Sequence, residues 1–151
     1  MTNKDLNNLP IDFINHIHSI KNKDLLTSCL GKELKDIKIK EFSYANNDPE
    51  ISQLLLRFDK WISITIEDDH VSVIETNDLT DFEAEGVRFK FVDSKTEMNV
   101  FKNLKMKNYF TITNDSRFAF GICFDFDENN RFIFANLAYD KNGKDYKQII
   151  I

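Results

Sequence analysis

The sequence predicts an α+β fold, in which N-terminal helices pack on a twisted antiparallel β-meander sheet or partial barrel. Two observations lead to this prediction. Apolar residues near the N-terminus recur at the three- and four-residue spacing of an amphipathic helix, whereas those after about residue 37 alternate with polar residues, as they do along half-buried strands. The chain of 151 residues is long enough to bury an ordinary core, and we expect residues 1–151 to form a single domain.

Two helices are predicted before the sheet. The first follows Pro10, which suits the first turn of a helix because its missing N–H has no partner there. Its apolar face comprises Phe13, Ile14, Ile17 and Ile20. The second runs from Asp24, a favourable N-cap, to Gly31, a natural C-terminal stop. A short helix also suits the ambiguous stretch 95–107, whose helically spaced apolar residues are Met98, Phe101 and Leu104.

Six to eight strands are predicted after these helices. The alternating segments are 37–39, 62–66, 71–73, 87–91, 118–126 and 131–139, followed by a last strand at 144–151. The pair Asn142-Gly143 is the strongest hairpin signal, because both positions of a type I′ turn need a positive φ. Eleven of the 14 phenylalanines lie between Phe82 and Phe134, so the core is predicted to centre on the sheet formed there.

Composition and charge exclude several classes of protein. A hydrophobic fraction of 42% excludes a disordered chain, and apolar runs of three or four residues fall far short of the roughly 20 that span a bilayer. The net charge of −5 argues against non-specific binding to nucleic acid, and the lysines at 32–40 and 102–107 are interpreted as a solvated face. Cys29 and Cys123 are interpreted as buried thiols, and the N-terminus lacks the apolar run of a signal peptide. We therefore expect a cytoplasmic protein without direct contact with nucleic acid or membrane.

No catalytic or metal-binding pattern emerges from the polar residues. His16 and His18 are two positions apart on a predicted helix, so they point in different directions and cannot chelate one ion together. A calcium loop beginning at Asp125 fails, because Asn130 stands where the sharp turn needs glycine and Asn136 where a bidentate glutamate should bind. The four glycines are scattered singly, which excludes a glycine-rich phosphate loop. We expect no enzymatic activity, no cofactor and no metal ion.

The acidic residues are concentrated in the middle of the chain. Residues 61–87 contain no Lys or Arg and eight acids, namely Glu67, Asp68, Asp69, Glu75, Asp78, Asp81, Glu83 and Glu85. Because the run spans a hairpin turn and the loop after it, we expect several of these acids to project from one end or edge of the sheet. The functional interpretation is a docking surface for a basic partner, with Trp61 as an aromatic anchor, and the alternative is a solvated loop. Reversing Asp68, Asp69, Asp81 and Glu83 to Lys should then slow association sharply at low salt.

Two segments carry a family resemblance. Residues 25–39 have a helix–Gly–Lys–strand arrangement around Cys29-Leu30-Gly31-Lys32-Glu33-Leu34, and an acidic turn follows Trp61-Ile62-Ser63-Ile64. In these segments the chain resembles the immunity proteins of contact-dependent inhibition and related polymorphic toxin systems. The resemblance implies tight occlusion of a cognate toxin domain with a basic surface, often a nuclease, without turnover or cofactor. Two other functions stay open: a small-molecule-binding or enzymatic domain with a Phe-lined pocket, and a structural subunit of a larger assembly.

Overall fold

The computed structural model describes residues 12–13, 20–67, 70–113, 119–136 and 148–150. Within these ranges the chain is mostly β. The strands are β1 (Asp12–Phe13), β2 (Ile20–Lys21), β3 (Asp36–Tyr44), β4 (Glu50–Arg57), β5 (Trp61–Ile66), β6 (Val71–Thr76), β7 (Phe82–Ala84), β8 (Val87–Asp93), β9 (Met106–Thr113), β10 (Ala119–Phe126), β11 (Arg131–Asn136) and β12 (Gln148–Ile150). The helical elements are one α-helix, α1 (Lys23–Thr27), and two 3-10 segments, Thr96–Phe101 and Asp127–Asn129. No helix among these residues is long and apolar enough to cross a membrane.

The strands form two sheets. The large sheet has seven strands in the order β2-β6-β5-β4-β3-β8-β7, and the small sheet has five in the order β1-β9-β10-β11-β12. Neighbouring strands are antiparallel in both sheets, except for β2 and β6, which are parallel. The large sheet is therefore mixed, and two sheets replace the single meander that the sequence predicts.

The predicted fold class, α+β with N-terminal helices packed on the sheet, is wrong. Where the predicted first helix is described, the chain is extended: Phe13 pairs with Ile112 in the small sheet, and Ile20 pairs with Val71 in the large sheet. Residues 14–19, including His16 and His18, lie outside the described residues. Isoleucine favours strands because its β-branched side chain packs well on a pleated surface, and a short apolar run does not distinguish the two periods.

The core-facing side of the large sheet is a continuous row of aliphatic side chains. Ile39, Leu54, Ile64 and Val73 stand opposite one another in four successive strands, and all of them are buried. A parallel row contains Ile37, Leu56 and Ile62. The predicted alternation in 37–39, 62–66 and 71–73 is thus confirmed, and its apolar face is the one that meets the core.

Aromatic rings from the small sheet fill the rest of the core. Phe124 and Phe132 face each other across β10 and β11 with ring centroids 5.1 Å apart, and Phe126 stacks on Phe132 at 5.6 Å. Phe101, from the 3-10 segment predicted as a short helix, packs edge-on against Phe132 at 4.8 Å. These rings contact each other and are buried, so they form a packed core rather than the lining of a cavity.

Two further predictions are confirmed only in part, and a third falls outside the described residues. The second predicted helix exists, but it is five residues long, and Gly31 lies beyond its end with a φ of 81°. The strand predicted from residue 118 begins at Ala119 and is interrupted by a bulge between Ala119 and Gly121, which breaks its alternation. The turn predicted at Asn142-Gly143 lies outside the described residues, as does most of the last predicted strand.

Candidate functional site

The face of the large sheet that points away from the core is rich in aromatic residues at one edge. We call this side the outer face. Alternation puts Phe42 and Phe89 on it, because their neighbours Ile39, Ser43 and Val92 belong to the opposite face. Phe42 and Phe89 are paired across β3 and β8 at 5.3 Å, and Phe82 of β7 joins Phe89 at 6.3 Å.

Tyr44 and Phe82 are the exposed members of this group. Tyr44 is 55% exposed and Phe82 is 54% exposed, whereas Phe42 and Phe89 are half-buried between them. We call these four residues, Phe42, Tyr44, Phe82 and Phe89, the aromatic edge. Large exposed rings grouped on one surface are typical of binding sites, because isolated apolar residues are common on protein surfaces but clusters are not. The sequence prediction centred the core on the phenylalanines from Phe82 to Phe134, and the structure corrects this for Phe82 and Phe89, which lie at the aromatic edge.

Residues 77–81, the crossing segment, connect β6 with β7 across the outer face. Thr76 and Phe82 are six residues apart, so the chain between them can span at most about 22 Å. In a flat sheet β6 and β7 would be five strand spacings apart, which is about 24 Å even without any shift along the strands. The large sheet must therefore curl toward the crossing segment. The carboxylate of Asp81 accepts a hydrogen bond from the N–H of Phe91 at 2.9 Å, which attaches the segment to β8.

The centre of the outer face is closed, while its edge is open. Leu55 and Ser63, directly opposite each other in β4 and β5, are each 1% exposed although they point away from the main core. The hydroxyl of Ser63 donates to the side-chain oxygen of Gln53 at 2.8 Å, so its polar atom is satisfied. The aromatic edge is open, and on the other side of this closed centre Ile74, opposite Ser63, is also exposed.

The predicted acidic residues are spread over several places. Glu67 lies at one end of the β5–β6 hairpin, and Asp68 and Asp69 lie outside the described residues. Glu75 is on β6 and forms an ion pair with Lys60 at 3.3 Å. Trp61 is half-buried on β5, with the guanidinium of Arg57 5.8 Å from its ring centre. Glu67, Glu75 and Trp61 do not lie at the aromatic edge.

The other four acids are near the aromatic edge. Asp78 and Asp81 belong to the crossing segment, Glu83 is on β7, and Glu85 is in the tight turn to β8. The hydrogen bonds that Thr80 gives to Asp78 hold the pKa of that carboxyl below its ordinary value. The main-chain N–H of Ala45 donates to the carbonyl of Gly86 at 2.8 Å, which brings the β7–β8 turn beside the β3–β4 turn.

This end of the large sheet is strongly acidic. Residues 44–50 and 78–87, which form this end or lead to it, contain six acids and no Lys or Arg, and the next residue, Arg88, stands opposite Glu83. The acids are Asp48, Glu50, Asp78, Asp81, Glu83 and Glu85. Glu50 stands opposite Phe42 in the β3–β4 ladder, so it shares the outer face with the aromatic edge. Negative charge and exposed aromatic rings therefore coincide here.

The lysine groups at 32–40 and 102–107 are close together, and four of their seven lysines are paired with acids. A β-bridge joins Glu33 to Lys105 and brings the two stretches side by side. Their lysines form ion pairs with acids: Lys32 with Asp59, Lys35 with Glu33, Lys38 with Asp93, and Lys102 with Asp36. Such pairing is typical of a solvated protein surface and unlike a phosphate-binding strip.

A cleft of about 630 Å³ lies at the end of the small sheet where β10 turns into β11. Asp125 and Arg131 face each other across β10 and β11, with a guanidinium nitrogen 3.1 Å from the carboxylate. Asp125 raises the pKa of Arg131 further. The cleft is lined by Lys107, Asn108, Asp125, Phe126, Asn129, Asn130 and Arg131. This lining is mostly polar and does not match the Phe-lined pocket that a small-molecule function would require.

Nucleophilic and metal-binding groups are not assembled into a site in the part of the chain that the structure describes. Cys29 and Cys123 are free and buried, and burial raises the pKa of both thiols, so that neither is an activated nucleophile. No group of three His, Cys, Asp or Glu side chains converges among these residues.

Four of the six acids near the aromatic edge belong to the acidic run predicted from the sequence, whereas Asp48, Glu50 and the rings were not predicted. Phe82 is the one aromatic residue inside the acidic stretch 67–85, and an apolar ring flanked by Asp81 and Glu83 was a signal for an exposed anchor.

Comparison of the chain with protein-family models, with curated protein sequences and with solved structures finds no match.

Proposed function

We propose that the protein is a stoichiometric inhibitor, an immunity protein that binds a basic surface of a cognate toxin domain through the aromatic edge and the acids around it. The observation that carries this proposal is the coincidence of two exposed aromatic rings with six acids at one end of the large sheet, where the described cation in the strand ladder is Arg88, opposite Glu83. Aromatic anchors supply most of the binding energy in many interfaces, and complementary charge speeds association.

The geometry favours binding over catalysis. The described thiols are buried, the phenylalanine cluster is packed, and the charged groups that line the cleft, Asp125 and Arg131, pair with each other. The proposal therefore includes the absence of turnover and of a cofactor. It also places the protein in the cytoplasm, where two unpaired buried thiols are stable.

The test uses the neighbouring gene product, since a toxin and its inhibitor act as a pair. We expect the protein to co-purify at 1:1 stoichiometry with the C-terminal domain of a toxin encoded beside its own gene, and to abolish the activity of that domain. If neither the neighbouring product nor its isolated C-terminal domain binds, the proposed function is wrong.

The surface is tested by charge reversal. The triple variant Glu50→Lys, Glu83→Lys and Glu85→Lys should lower the association rate by roughly 10- to 1000-fold at low salt, with the difference shrinking as salt is added. The matched control reverses three exposed glutamates elsewhere, Glu67, Glu97 and Glu128, and changes the net charge equally. Equal slowing in both triple variants would show a general charge effect and would remove the assignment of this surface.

A further inference from the structure

A second, smaller cleft of about 270 Å³ lies where the α1 region meets the turn between β4 and β5. We call it the small cleft. Its floor is apolar and is made by Leu25, Cys29, Phe58 and Ile62. Cys29, Phe58 and Ile62 are buried, whereas Leu25 is half-buried. An apolar floor with a few polar groups around it is the usual lining of a small-molecule site.

The rim of the small cleft carries two ion pairs. Lys32, which follows α1, pairs with Asp59 of the β4–β5 turn, and Lys60 of the same turn pairs with Glu75 of β6 at 3.3 Å. All four side chains are exposed. Glu75 stands opposite Ile62 in the β5–β6 ladder, so one of the two pairs lies directly beside the floor. Two cations and two anions therefore border one apolar surface.

The rim groups retain hydrogen-bonding capacity. In the described part of the chain, the ion pairs engage Oδ2 of Asp59 and Oε1 of Glu75, and the second oxygen of each carboxylate can accept from a ligand. Each ammonium group has three N–H donors, of which its partner needs one. Exposed ion pairs contribute little to stability because water screens them, so exchanging a partner for a ligand costs little. The rim can thus bind an anionic and a cationic group at the same time.

The volume of the small cleft limits the size of its ligand. A cavity of about 150 Å³ holds benzene, and pockets for drug-sized ligands begin at about 300 Å³. At about 270 Å³, the small cleft has room for one branched or aromatic side chain with a compact polar group, and it is too small for a drug-sized ligand such as a nucleotide. Because the rim has as many positive as negative groups, a ligand with both charges matches it better than a ligand with one.

We infer that the small cleft binds a free α-amino acid with an apolar side chain. The side chain lies on the floor, the carboxylate faces the two lysines of the rim, and the ammonium group faces its two acids. This inference goes beyond the proposed function and does not depend on it. The small cleft lies at the Asp36 end of β3, since Asp36 pairs with Arg57, the residue before Phe58. Tyr44 of the aromatic edge ends the same strand eight residues later, about 27 Å away along an extended chain.

The test is calorimetric titration of the full chain with L-leucine and three analogues. Glycine lacks the side chain, isocaproate lacks the ammonium group, and isoamylamine lacks the carboxylate. We expect leucine to bind and each analogue to bind about tenfold more weakly or worse, because each leaves one part of the small cleft unmatched. No binding of leucine at about 10 mM, or equal binding of leucine and isocaproate, would overturn the inference.

A double variant tests the rim. Asp59→Asn with Glu75→Gln removes both anions and keeps the shape of the side chains, so it should weaken leucine binding about tenfold. Isocaproate has no ammonium group and should bind this variant no more weakly than it binds the parent. The control, Asp93→Asn with Glu97→Gln, removes the same charge at two exposed acids outside the small cleft and should bind leucine as the parent does. Unchanged leucine binding in the first variant, or equal weakening in the control, would overturn the inference.

Discussion

The carboxylate of Asp81 accepts a hydrogen bond from the main-chain N–H of Phe91 at 2.9 Å, just beyond the last residue pair between β7 and β8. The side chain therefore replaces the main-chain carbonyl that a neighbouring strand would offer. This bond attaches the crossing segment to the large sheet. Replacing Asp81 with Ala should lower the free energy of unfolding by about 1 kcal/mol, the usual net value of one hydrogen bond, and should speed hydrogen exchange of the Phe91 amide. Denaturant unfolding and amide exchange measure the two effects.

Asp81→Asn keeps an oxygen acceptor and should retain part of the protection of the Phe91 amide. Glu83→Ala removes a neighbouring exposed acid that makes no such bond, and it should leave that amide unchanged. Faster exchange of Phe91 in both alanine variants would mean that lost charge, rather than the lost bond, loosens the segment.

Gly121 permits the close approach of β10 and β11. A Cβ atom at this position would lie 2.7 Å from the Cβ of Ala135 and 3.0 Å from the carbonyl oxygen of Phe134, which is closer than van der Waals contact allows. Gly121→Ala should therefore destabilise the protein by about 1–3 kcal/mol, the usual cost of overpacking a core. Adding Ala135→Gly removes one of the clashes and should recover part of the lost stability in denaturant unfolding; no recovery would contradict the steric explanation.

Glu128 has an unfavourable backbone conformation in the turn between β10 and β11. Its φ is 63° and that of Asn129 is 58°, so both residues are left-handed, a conformation that Asn and Gly adopt more readily than Glu. Glu128→Asn should raise the free energy of unfolding by about 0.5–1 kcal/mol. Glu83→Asn, the same change in a strand, should bring no gain, and a gain of equal size there would point to charge as the cause.

The ion pair between Lys38 and Asp93 predicts a pH dependence. The two groups are 2.8 Å apart across β3 and β8, and Lys38 holds the pKa of Asp93 below its ordinary value. A lowered carboxyl pKa stabilises the fold above the unfolded pKa, and this contribution is lost as the pH falls through the folded value. Asp93 in turn raises the pKa of Lys38, whose contribution is lost as the pH rises through its folded value.

The comparison that tests this dependence is wild type against Asp93→Asn. The difference in their denaturant midpoints should be present near neutral pH and should shrink as the solution is acidified. It should be smaller at every pH than the effect of Gly121→Ala, because Asp93 is solvent-exposed and water screens the pair. A difference that grows on acidification would have the wrong sign for this ion pair.

Several strands could be predicted because their alternation is visible locally. Ile62, Ile64 and Ile66 predicted β5, and the structure confirms that this strand forms a hairpin with β6. The fold class could not be derived in the same way. Ile20 has helical spacing relative to its neighbours, but it pairs with Val71, and a contact between residues that far apart leaves no local signal.

Only the acidic residues of the candidate site could be predicted from the sequence. A period of two separates the faces of a strand but does not say which face meets the core. Phe89, which shares a face with Val87 and Phe91, therefore had the pattern of a core residue, although the core-facing position next along β8 is filled by Val92. The partner-binding role of the acids remains a prediction, and the structure adds the rings that they surround.

The aromatic edge also depends on when the chain closes its large sheet. β3 pairs with β4 across a short turn, but its other neighbour, β8, follows about 50 residues later, and pairing over such a separation is slow. Tyr44 lies on one side of that late junction, and Phe82 lies on the other. The four rings of the aromatic edge therefore cannot come together before β8 has been synthesised and has paired with β3, so the first half of the chain alone cannot form the proposed surface.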